Sequence, residues 1–437
     1  MNYPAGNRIL KETERGKSAL KICFISPYPP ERDGVADYSY YLIKSIGKLT
    51  KECSFVVMAR TLDGRLVSKQ IGEKVILLRI WGMGSLAETA RSLVVLIRAI
   101  ATSKPDIIHI QYRFTRDQGG SAGEPWFLLM LLAKLLLRAP RLVISLHDFW
   151  LPKEAERRAF EITGSRLASR LYRFYYYFYL RAVLRVPDSI VSIVSSENSA
   201  ITRSLKGLTS RRVLEIPHGL PEVIAPATER PFSVYKSKGE DKRENDAFRI
   251  LLFGFIRRAK GYHYVIEAVG KLVGQDPSLR RKIKLVIAGI PSPPQERGYL
   301  DYLQDLVSKL SLNDCVTIIT KFLSEEEISS LFNSADLMVA PYSVRVGPSG
   351  VLSFALAYGV PAIVTFDERY FTRDSKIPAF AADLSVAGIA SAISKLMTDH
   401  VEYGKQVQLI EEYRKKNNNE KIALRHVKLY KDLLSLR

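Results

Sequence analysis

The sequence predicts an α/β protein built from two Rossmann-like, doubly wound domains. Its 437 residues exceed one ordinary hydrophobic core and fit two domains of roughly 200 residues each. Short apolar runs alternate with amphipathic segments, as in successive βα units. The alternation stops once, at Pro221–Ala247, which is rich in proline and charge. We therefore predict a polar tail (1–19), a first domain (20–225), a linker (226–246), a second domain (247–415) and a last helix (416–437) packing back on the first domain.

Composition indicates a globular protein with an anionic partner. Apolar residues make up 47% of the chain, charged residues 25%, and the net charge is +20. That charge suits nucleic acid, an acidic membrane surface or a phosphorylated ligand. The three cysteines lie far apart without a CxxC pair, which argues against a zinc site or disulfide framework and fits a reducing compartment.

The apolar segments of the sequence predict neither a signal peptide nor a membrane-spanning helix. The first 20 residues lack a hydrophobic segment typical of a signal peptide. The longest apolar run, Trp126–Leu137, is shorter than the roughly 20 residues that cross a bilayer. We predict a cytoplasmic, soluble protein with peripheral association to the inner face of a membrane.

The first domain opens with a strand, a loop and a helix. Leu20–Ser26 is almost continuously apolar, as expected inside a parallel sheet. Gly34 ends the following loop, where its backbone can approach a ligand closely, although a plain turn fits equally. Val35–Leu49 has helical periodicity. Further strands are predicted at Ser54–Ala59, Val75–Ile80, Asp106–Gln111, Leu142–His147, Ser189–Ser195 and Val213–Ile216, with a helix at Leu86–Ala101.

Polar residues at strand ends are the first candidates for chemistry, because open α/β sheets bind ligands beyond the carboxyl ends of their strands. Gln111 and His147 each end a predicted strand. His109 lies within its strand and is predicted to be a packed core histidine.

Two basic, apolar stretches, Trp126–Arg141 and Arg166–Arg185, leave three interpretations open. Aromatic and arginine side chains on one helix suit a membrane interface. They equally fit a packed helix whose arginines reach water along its edge. Stacking on single-stranded nucleic acid is the third interpretation and the weakest.

The βα alternation resumes after the linker and leads to a phosphate-type loop. In Ala335–Asp367, a short strand precedes a glycine-containing loop and a helix behind the capping residue Ser349. The first amides of such a helix lack internal partners and attract anions. Other predicted strands are Arg249–Gly254, Ile283–Ala288 and Val316–Thr320; predicted helices are Tyr264–Leu272, Tyr299–Leu310, Ile328–Asn333 (behind a capping box at Ser324–Glu327), Ala387–Met397 and Glu402–Leu436.

The ordered set of motifs resembles family 4 of the retaining glycosyltransferases, which have the GT-B fold and use nucleotide-sugars. The motifs, spread over about residues 20–400, are SPYPPERDGVADYSYYL, DIIHIQY, LVISLHDFW, EIPHG, LLFGFIRRAKGYHYVIEAV and ADLMVAPY…GPSGVLSFALAYGVPAIV. The resemblance implies two Rossmann-like domains facing each other across a cleft. The second would hold the nucleotide-sugar and the first the acceptor, with no metal or other cofactor required.

The resemblance also implies roles for individual residues. His147 would be the catalytic-site histidine near the sugar and acceptor. The donor diphosphate would be bound by Gly34, Arg257, Lys260, Ser349, Gly350 and Val351. Arginine grips phosphate bidentately and lysine acts as a point charge, so these residue types suit a diphosphate leaving group. Lys321, Leu323 and Phe354 would lie beside the nucleobase and ribose, and Gly347 and Pro348 beside the sugar.

The donor motif departs from the family pattern at two positions. Relatives usually carry two glutamates eight residues apart, whereas this chain has Val346 and Phe354. Asp367 and Glu368 are candidate substitutes.

We predict an enzyme that moves a hexose from a nucleotide-sugar to a glycan or lipid-linked acceptor, in polysaccharide biosynthesis and without a nucleic-acid partner. Two alternatives remain at this point. The missing glutamates favour a non-catalytic sugar-nucleotide or glycan-binding partner of an assembly complex. A nucleotide-sugar epimerase of the same fold would need a carboxylate cluster, and the motifs do not provide one.

Overall fold

The computed structural model describes residues 20–31, 34–82, 85–113, 123–137, 140–148, 152–193, 200–223, 247–291, 296–342, 350–365 and 377–435. The predicted tail and nearly all of the predicted linker lie outside these ranges. The chain divides into two compact units, the first comprising residues 1–219 with 419–437 and the second residues 220–418. Within the described ranges, no helix has the length and apolarity needed to cross a membrane.

The first unit is organised by an eight-stranded sheet of order β3-β4-β2-β1-β5-β6-β7-β8. All pairings are parallel except β3–β4, which is antiparallel. Strand order reverses between β1 and β5, so the ends of these neighbouring strands form a topological switch point. The strands are β1 (Leu20–Ile25), β2 (Cys53–Arg60), β3 (Val67–Ile71), β4 (Val75–Trp81), β5 (Ile107–Arg113), β6 (Arg141–Asp148), β7 (Ser189–Ser192) and β8 (Arg212–Glu215).

Helices connect these strands, because parallel neighbours need crossovers rather than hairpins. The central strands are mostly apolar and are buried on both faces. The helices are α1 (Gly34–Leu49), α2 (Leu86–Ser103), α3 (Gly123–Leu136), α4 (Pro152–Thr163), α5 (Arg166–Val183) and α6 (Ala200–Leu208).

The second unit contains a six-stranded, wholly parallel sheet of order β11-β10-β9-β12-β13-β14. This order reverses between β9 and β12, in the doubly wound pattern. Its strands are β9 (Phe248–Phe253), β10 (Ile283–Ala288), β11 (Val316–Ile319), β12 (Leu337–Ala340), β13 (Ala362–Thr365) and β14 (Phe380–Ala382). Its helices are α7 (Tyr262–Gln275), α8 (Leu279–Lys282), α9 (Arg297–Lys309), α10 (Glu325–Ser334), α11 (Gly350–Tyr358), α12 (Val386–Thr398) and α13 (His400–Asn417).

The predicted α/β class with two Rossmann-like parallel sheets is confirmed. The capping box is confirmed too: Ser324 accepts from the Glu327 amide, and the Glu327 carboxylate accepts from the Ser324 amide. Five elements were not predicted, namely α6, α8, β14, β3 and α4, of which the last two are the most instructive. β3 is a polar, largely exposed edge strand, and α4 has a strongly charged sequence, so neither carries an apolar run of the kind that marks a buried element.

The predicted helix Glu402–Leu436 is in fact two helices, because the backbone of Asn418 is extended (φ −65°, ψ 160°) and interrupts the helix there. Its second part, α14 (Asn419–Ser435), belongs to the first unit and packs against α1. There the Tyr430 hydroxyl lies 2.6 Å from His109 Nδ1, and Ser145 Oγ lies 2.7 Å from His109 Nε2. His109 is fully buried and forms part of the core, in agreement with the prediction.

Candidate active site

The loop that follows β9 in the second unit is held against the start of α11. Gly254 adopts a φ of 104°, in the region that favours glycine. A Cβ atom there would lie 3.0 Å from Val351 Cγ2. The Gly254 amide donates to the Ala288 carbonyl (3.0 Å), and the Ile256 amide donates to the Ile290 carbonyl (2.8 Å). Backbone bonds and close packing therefore fix where this loop leaves the sheet.

The far end of the same loop is pinned beside β12. A short 3₁₀ turn, Arg258–Lys260, ends at Gly261 with a φ of 65°. A Cβ atom at Gly261 would lie only 2.0 Å from the Pro341 carbonyl oxygen, so glycine is required for this approach. The loops after β9 and β12 therefore touch at the switch point of the sheet, where doubly wound proteins bind ligands.

This approach places the ammonium group of Lys260 above the ring of Tyr342. Nζ lies 3.7 Å from the ring centroid, within cation–π range. Tyr342 is buried, so its ring forms a fixed floor for the lysine. A ring orients a cation without neutralising it, so the charge of Lys260 remains available to an anion.

Arg257 is a second cation of this loop. Its guanidinium carbon lies 5.2 Å from the Phe255 ring centroid. Its Nε is buried and has no hydrogen-bond partner among the described residues. Within that part of the chain, no carboxylate forms an ion pair with Arg257 or Lys260. Two cations without a counter-charge at a switch point are the chemistry expected of a diphosphate site.

The neighbouring Arg258 differs from these two cations. Its backbone amide donates to Glu296 Oε2 (3.1 Å), and its guanidinium lies over the rings of Tyr299 and Tyr302, 5.3 and 5.7 Å from their centroids. Arg258 is thus tied to α9 and holds the outer side of the loop.

The start of α11 supplies the predicted backbone donors. Gly350 and Val351 are its first two residues, and a Cβ built on Gly350 meets no atom within 4 Å. First-turn amides lack an internal acceptor and sit at the positive end of the helix dipole. Ser349, Gly347, Pro348 and Val346 lie outside the described residues, as do Asp367 and Glu368. Phosphate binding by Gly350 and Val351 stays a prediction.

Phe354 lies in an aromatic cluster of the second unit. Its ring centroid is 5.8 Å from that of Phe253 and 5.7 Å from that of Phe332, which stacks in turn on Tyr358. The side chain at this motif position therefore packs among hydrocarbon, where a glutamate would be desolvated. A hydrophobic contact thus occupies the position at which the family pattern has a carboxylate.

Lys321 and Leu323, the other predicted nucleobase contacts, follow the edge strand β11, two strands from β9. Lys321 forms an ion pair with Glu327 of the capping box, and Leu323 packs against the apolar cluster around β12. The structure gives both side chains a local partner, and their role beside the nucleobase and ribose stays a prediction.

In the first unit, His147 lies at the carboxyl end of β6 beside the end of β5. Its Nε2–H donates to Gln111 Oε1 (2.6 Å), and its ring meets the Tyr38 ring edge-on at 5.0 Å. Both His147 and Gln111 are buried. The amide of Gln111 fixes the imidazole orientation and places hydrogen on Nε2, which leaves Nδ1 as the acceptor of the neutral ring. The role of His147 in catalysis stays a prediction.

Tyr38 connects His147 to the EIPHG motif. The rings of Tyr38 and His218 lie 4.9 Å apart, and His218 Nδ1–H donates to the Gly219 carbonyl (2.8 Å). Burial lowers the pKa of His218. Two predicted motif segments, LVISLHDFW and EIPHG, are thereby brought together around one tyrosine of α1.

Gly34 is the first residue of α1 and is exposed. A Cβ on it meets no atom within 4 Å, so no internal contact accounts for glycine here. Its predicted role toward a diphosphate stays a prediction.

Sequence reasoning missed Arg79, which shapes the loop after β1. This side chain is buried, and its guanidinium donates to the carbonyls of Tyr28 (2.8 Å), Pro29 (2.6 Å) and Arg60 (3.0 Å). Burial lowers the pKa of Arg79, and the Glu31 carboxylate opposes that shift. The signal in the sequence is a single charge inside the apolar strand VILLRIW.

A substitution at Gln111 tests its hold on His147. Gln111→Leu removes the acceptor of the Nε2–H bond, and we expect kcat to fall about 10- to 100-fold with little change in the donor KM, because a misplaced catalytic group slows the chemical step. Gln111→Glu keeps an acceptor and should restore part of kcat. Steady-state kinetics with melting temperatures measure both effects. Equal kcat in wild type and Gln111→Leu would show that the bond has only a structural role.

Comparison with known proteins places this geometry in a family. Residues 236–416 match the family model described as "Glycosyl transferases group 1". The second unit therefore matches the group 1 glycosyltransferase family. The match covers the second unit, including the loop of Arg257 and Lys260 and the start of α11. The prediction from the motifs is therefore confirmed at the level of the enzyme class.

Solved structures with low sequence identity share the GT-B fold of this glycosyltransferase. Sucrose-phosphate synthase from Thermosynechococcus elongatus has a TM-score of 0.66 at 15% identity, with 96% of this chain and 100% of that chain covered. An Escherichia coli trehalose-6-phosphate protein bound with UDP-2-fluoro glucose has a TM-score of 0.66 at 13% identity, with 94% and 99% covered. HepE from Anabaena, in complex with UDP and glucose, has a TM-score of 0.60 at 14% identity, with 94% and 100% covered.

One curated relative is similar over part of its length. It is the D-inositol 3-phosphate glycosyltransferase of Streptosporangium roseum, 26% identical over 163 residues. The matched segment spans 36% of this glycosyltransferase and 35% of the relative, so about a third of the relative is matched.

Proposed function

We propose that this glycosyltransferase is a retaining, family 4 enzyme that moves a hexose from a nucleoside-diphosphate sugar to a glycan or lipid-linked acceptor. The observation that carries the proposal is the pair Arg257 and Lys260, two cations without a carboxylate partner among the described residues, at the switch point beside the first turn of α11. Two structural neighbours support it, since HepE was solved with UDP and glucose and the Escherichia coli protein with UDP-2-fluoro glucose.

The reaction breaks the bond between the anomeric carbon and the diphosphate oxygen. A bond from the same carbon to an acceptor oxygen forms, and the proton of the acceptor hydroxyl passes to the leaving diphosphate oxygen. Negative charge grows on the leaving diphosphate as the first bond breaks. Arg257 and Lys260, with the first amides of α11, stabilise that charge, which lowers the barrier without a covalent enzyme intermediate.

We assign the acceptor to the first unit, with His147 held by Gln111 near its binding site. We propose that no metal is needed, since fixed cations and amides supply the positive charge. The net charge of +20 further supports an acceptor presented at an anionic membrane surface on the cytoplasmic side.

A thermal-shift screen of UDP-, GDP-, ADP- and dTDP-sugars tests the donor. A donor at 100 times its Kd should add about 2.7 kcal/mol to the stability of the state that binds it, a shift of several degrees. The same shift should persist in EDTA. Absence of any shift, with every nucleotide-sugar at high concentration, would contradict the proposed donor site.

A non-catalytic binding partner is the second candidate, favoured by the hydrophobic packing of Phe354 at a position where relatives have glutamate. Donor binding without hydrolysis or transfer to any membrane or glycan extract would favour this candidate. Turnover that depends on Lys260 would exclude it.

A further inference from the structure

The outward face of α5 carries a stripe of exposed apolar side chains. Leu167 is 71% exposed, Leu171 63% and Phe174 66%, and Tyr175 and Phe178 are more than half exposed. Spacings of three, four and seven residues place these five side chains on one side of the helix. The opposite side, with Ser169, Tyr176, Leu180 and Val183, is buried in the first unit. Helix α5 therefore has two apolar faces, and only one of them packs against other residues in the described part of the chain.

Arginines border the outward stripe. Arg166 and Arg170 are exposed and form no ion pair with any described residue. Arg173 is held by Glu156 of α4 (3.0 Å), and Arg181 donates to the Tyr177 hydroxyl (3.0 Å). On a helical wheel all four arginines lie on one flank, between the outward stripe and the buried face. The flank thus presents positive charge alongside exposed rings.

This arrangement is that of a helix lying in a membrane interface. Aromatic rings favour headgroup depth, aliphatic side chains reach the acyl boundary, and arginines meet lipid phosphates. A large exposed apolar stripe costs solubility unless something covers it. The free cations beside the stripe favour an anionic cover, which a second copy of this basic chain (net charge +20) does not provide.

We propose that the outward face of α5, formed by Leu167, Leu171, Phe174, Tyr175 and Phe178 with Arg166 and Arg170 at its border, is the docking surface for an anionic lipid bilayer. The proposal deepens the peripheral membrane association included in the proposed function, and it assigns that association to one helix. The helix would lie parallel to the bilayer surface, with its rings among the headgroups. Docking does not require donor binding or glycosyl transfer.

Vesicle flotation of the full chain tests the docking surface. We expect binding to vesicles of equal parts phosphatidylcholine and phosphatidylglycerol, weak binding to pure phosphatidylcholine, and release by high salt. Phe174→Ser with Phe178→Ser should weaken partitioning about tenfold or more, because the apolar area of two rings is no longer available for transfer from water into the bilayer. Arg166→Gln with Arg170→Gln should weaken it roughly thirtyfold, since each cation near the surface contributes about fivefold.

Matched variants control for apolar area and for charge. Leu66→Ser with Leu424→Ser removes two apolar side chains elsewhere in the first unit, which are 57% and 50% exposed. Arg91→Gln with Arg98→Gln removes two exposed arginines of α2. We expect both control pairs to float like wild type. Melting temperatures and the donor-induced thermal shift should be unchanged in all four variants, which separates docking from folding and from donor binding.

Three results would overturn the docking surface. Unchanged flotation of Phe174→Ser with Phe178→Ser would exclude α5. A concentration-dependent dimer that this variant dissociates, without loss of vesicle binding, would assign the stripe to self-association. If this variant lost binding to a single-stranded oligonucleotide but kept its binding to vesicles, the stripe would be assigned to nucleic-acid binding. Failure of glycosyl transfer with intact flotation would leave the docking surface standing and contradict only the proposed function.

Discussion

Replacement of Lys260 by alanine should lower kcat/KM by about 10²- to 10³-fold, with most of the loss in kcat. Lys260 lies 3.7 Å above the Tyr342 ring, and no described carboxylate offsets its charge. An electrostatic donor fixed in this way interacts most strongly when charge develops on the leaving diphosphate, so its removal raises the barrier by about 3–4 kcal/mol. Transfer from a radiolabelled nucleotide-sugar measures the effect.

Two comparison variants sharpen the Lys260 experiment. Lys260→Arg keeps the charge but changes its geometry above Tyr342, and should retain part of the activity. Lys271→Ala removes an exposed lysine of α7, outside the basic loop, and should behave like wild type. A Lys260→Ala protein with unchanged kcat/KM would remove the central support for the diphosphate site. A fall in donor affinity alone, with kcat preserved, would show that Lys260 binds donor and transition state equally.

Acidification should destabilise the first unit well before its carboxylates titrate. Burial lowers the pKa of His426 from 6.5 to about 4, and the nearby Arg425 adds to that shift. Burial, followed by the neighbouring His426, also lowers the pKa of His109 well below 6.5. Both rings are fully buried in the contact between α14 and the sheet, beside Tyr430.

Proton uptake on unfolding determines the direction in which the free energy of unfolding changes with pH. Below pH 6.5 the unfolded chain binds protons on these histidines, whereas the folded unit does not, so the free energy of unfolding falls as pH decreases toward 4. His426 alone accounts for a loss on the order of 3 kcal/mol across this interval, since one pKa unit corresponds to about 1.4 kcal/mol. Stability is therefore fully present above pH 6.5. Urea unfolding, followed at several pH values, measures the loss.

A variant isolates the contribution of His426. His426→Leu removes a titrating group whose Nε2 is buried without a partner among the described residues, and its volume is similar. We expect a flatter pH dependence of unfolding, with little change near neutral pH. His400→Gln, at an exposed histidine of α13, should keep the wild-type slope. An unchanged slope in His426→Leu would show that other groups cause the acid sensitivity.

Much of the fold could be predicted because its signals are local. The apolar runs of Leu20–Ile25 and Phe248–Phe253 identify central parallel strands from their own sequence, since both faces of such strands are buried. The Ser324–Glu327 capping box is likewise contained in four residues. Where the local signal is absent the prediction failed: β3 is polar and exposed, and the break at Asn418 separates two segments of similar helical character.

The candidate site was likewise predictable only where its signals are local in sequence. The basic loop after β9 and the helix start of α11 could be predicted from local sequence, but Arg257, Lys260, Gly350 and Val351 were singled out by the family resemblance. The ion-pair and hydrogen-bond partners of individual side chains could not be predicted. Lys321 has the same charge as Lys260, yet it is bound to Glu327 six residues away. Arg79 is visible only as a charge inside a strand, and its three carbonyl partners come from the loop after β1 and from the end of β2.

The sequence by itself determined the elements, their division into two doubly wound units and the basic loop that carries the proposed diphosphate site. These depend on periodicity, caps and glycine positions, which act between near neighbours in the chain. Only the tertiary structure decided which cations lack a counter-charge among the described residues, which side chain contacts His109 and which face of α5 is exposed. His109 meets Tyr430 across 321 residues, and Gly261 meets Pro341 across a switch point. Such contacts arise from crossovers of the sheet, because parallel strands bring together residues that are far apart in sequence.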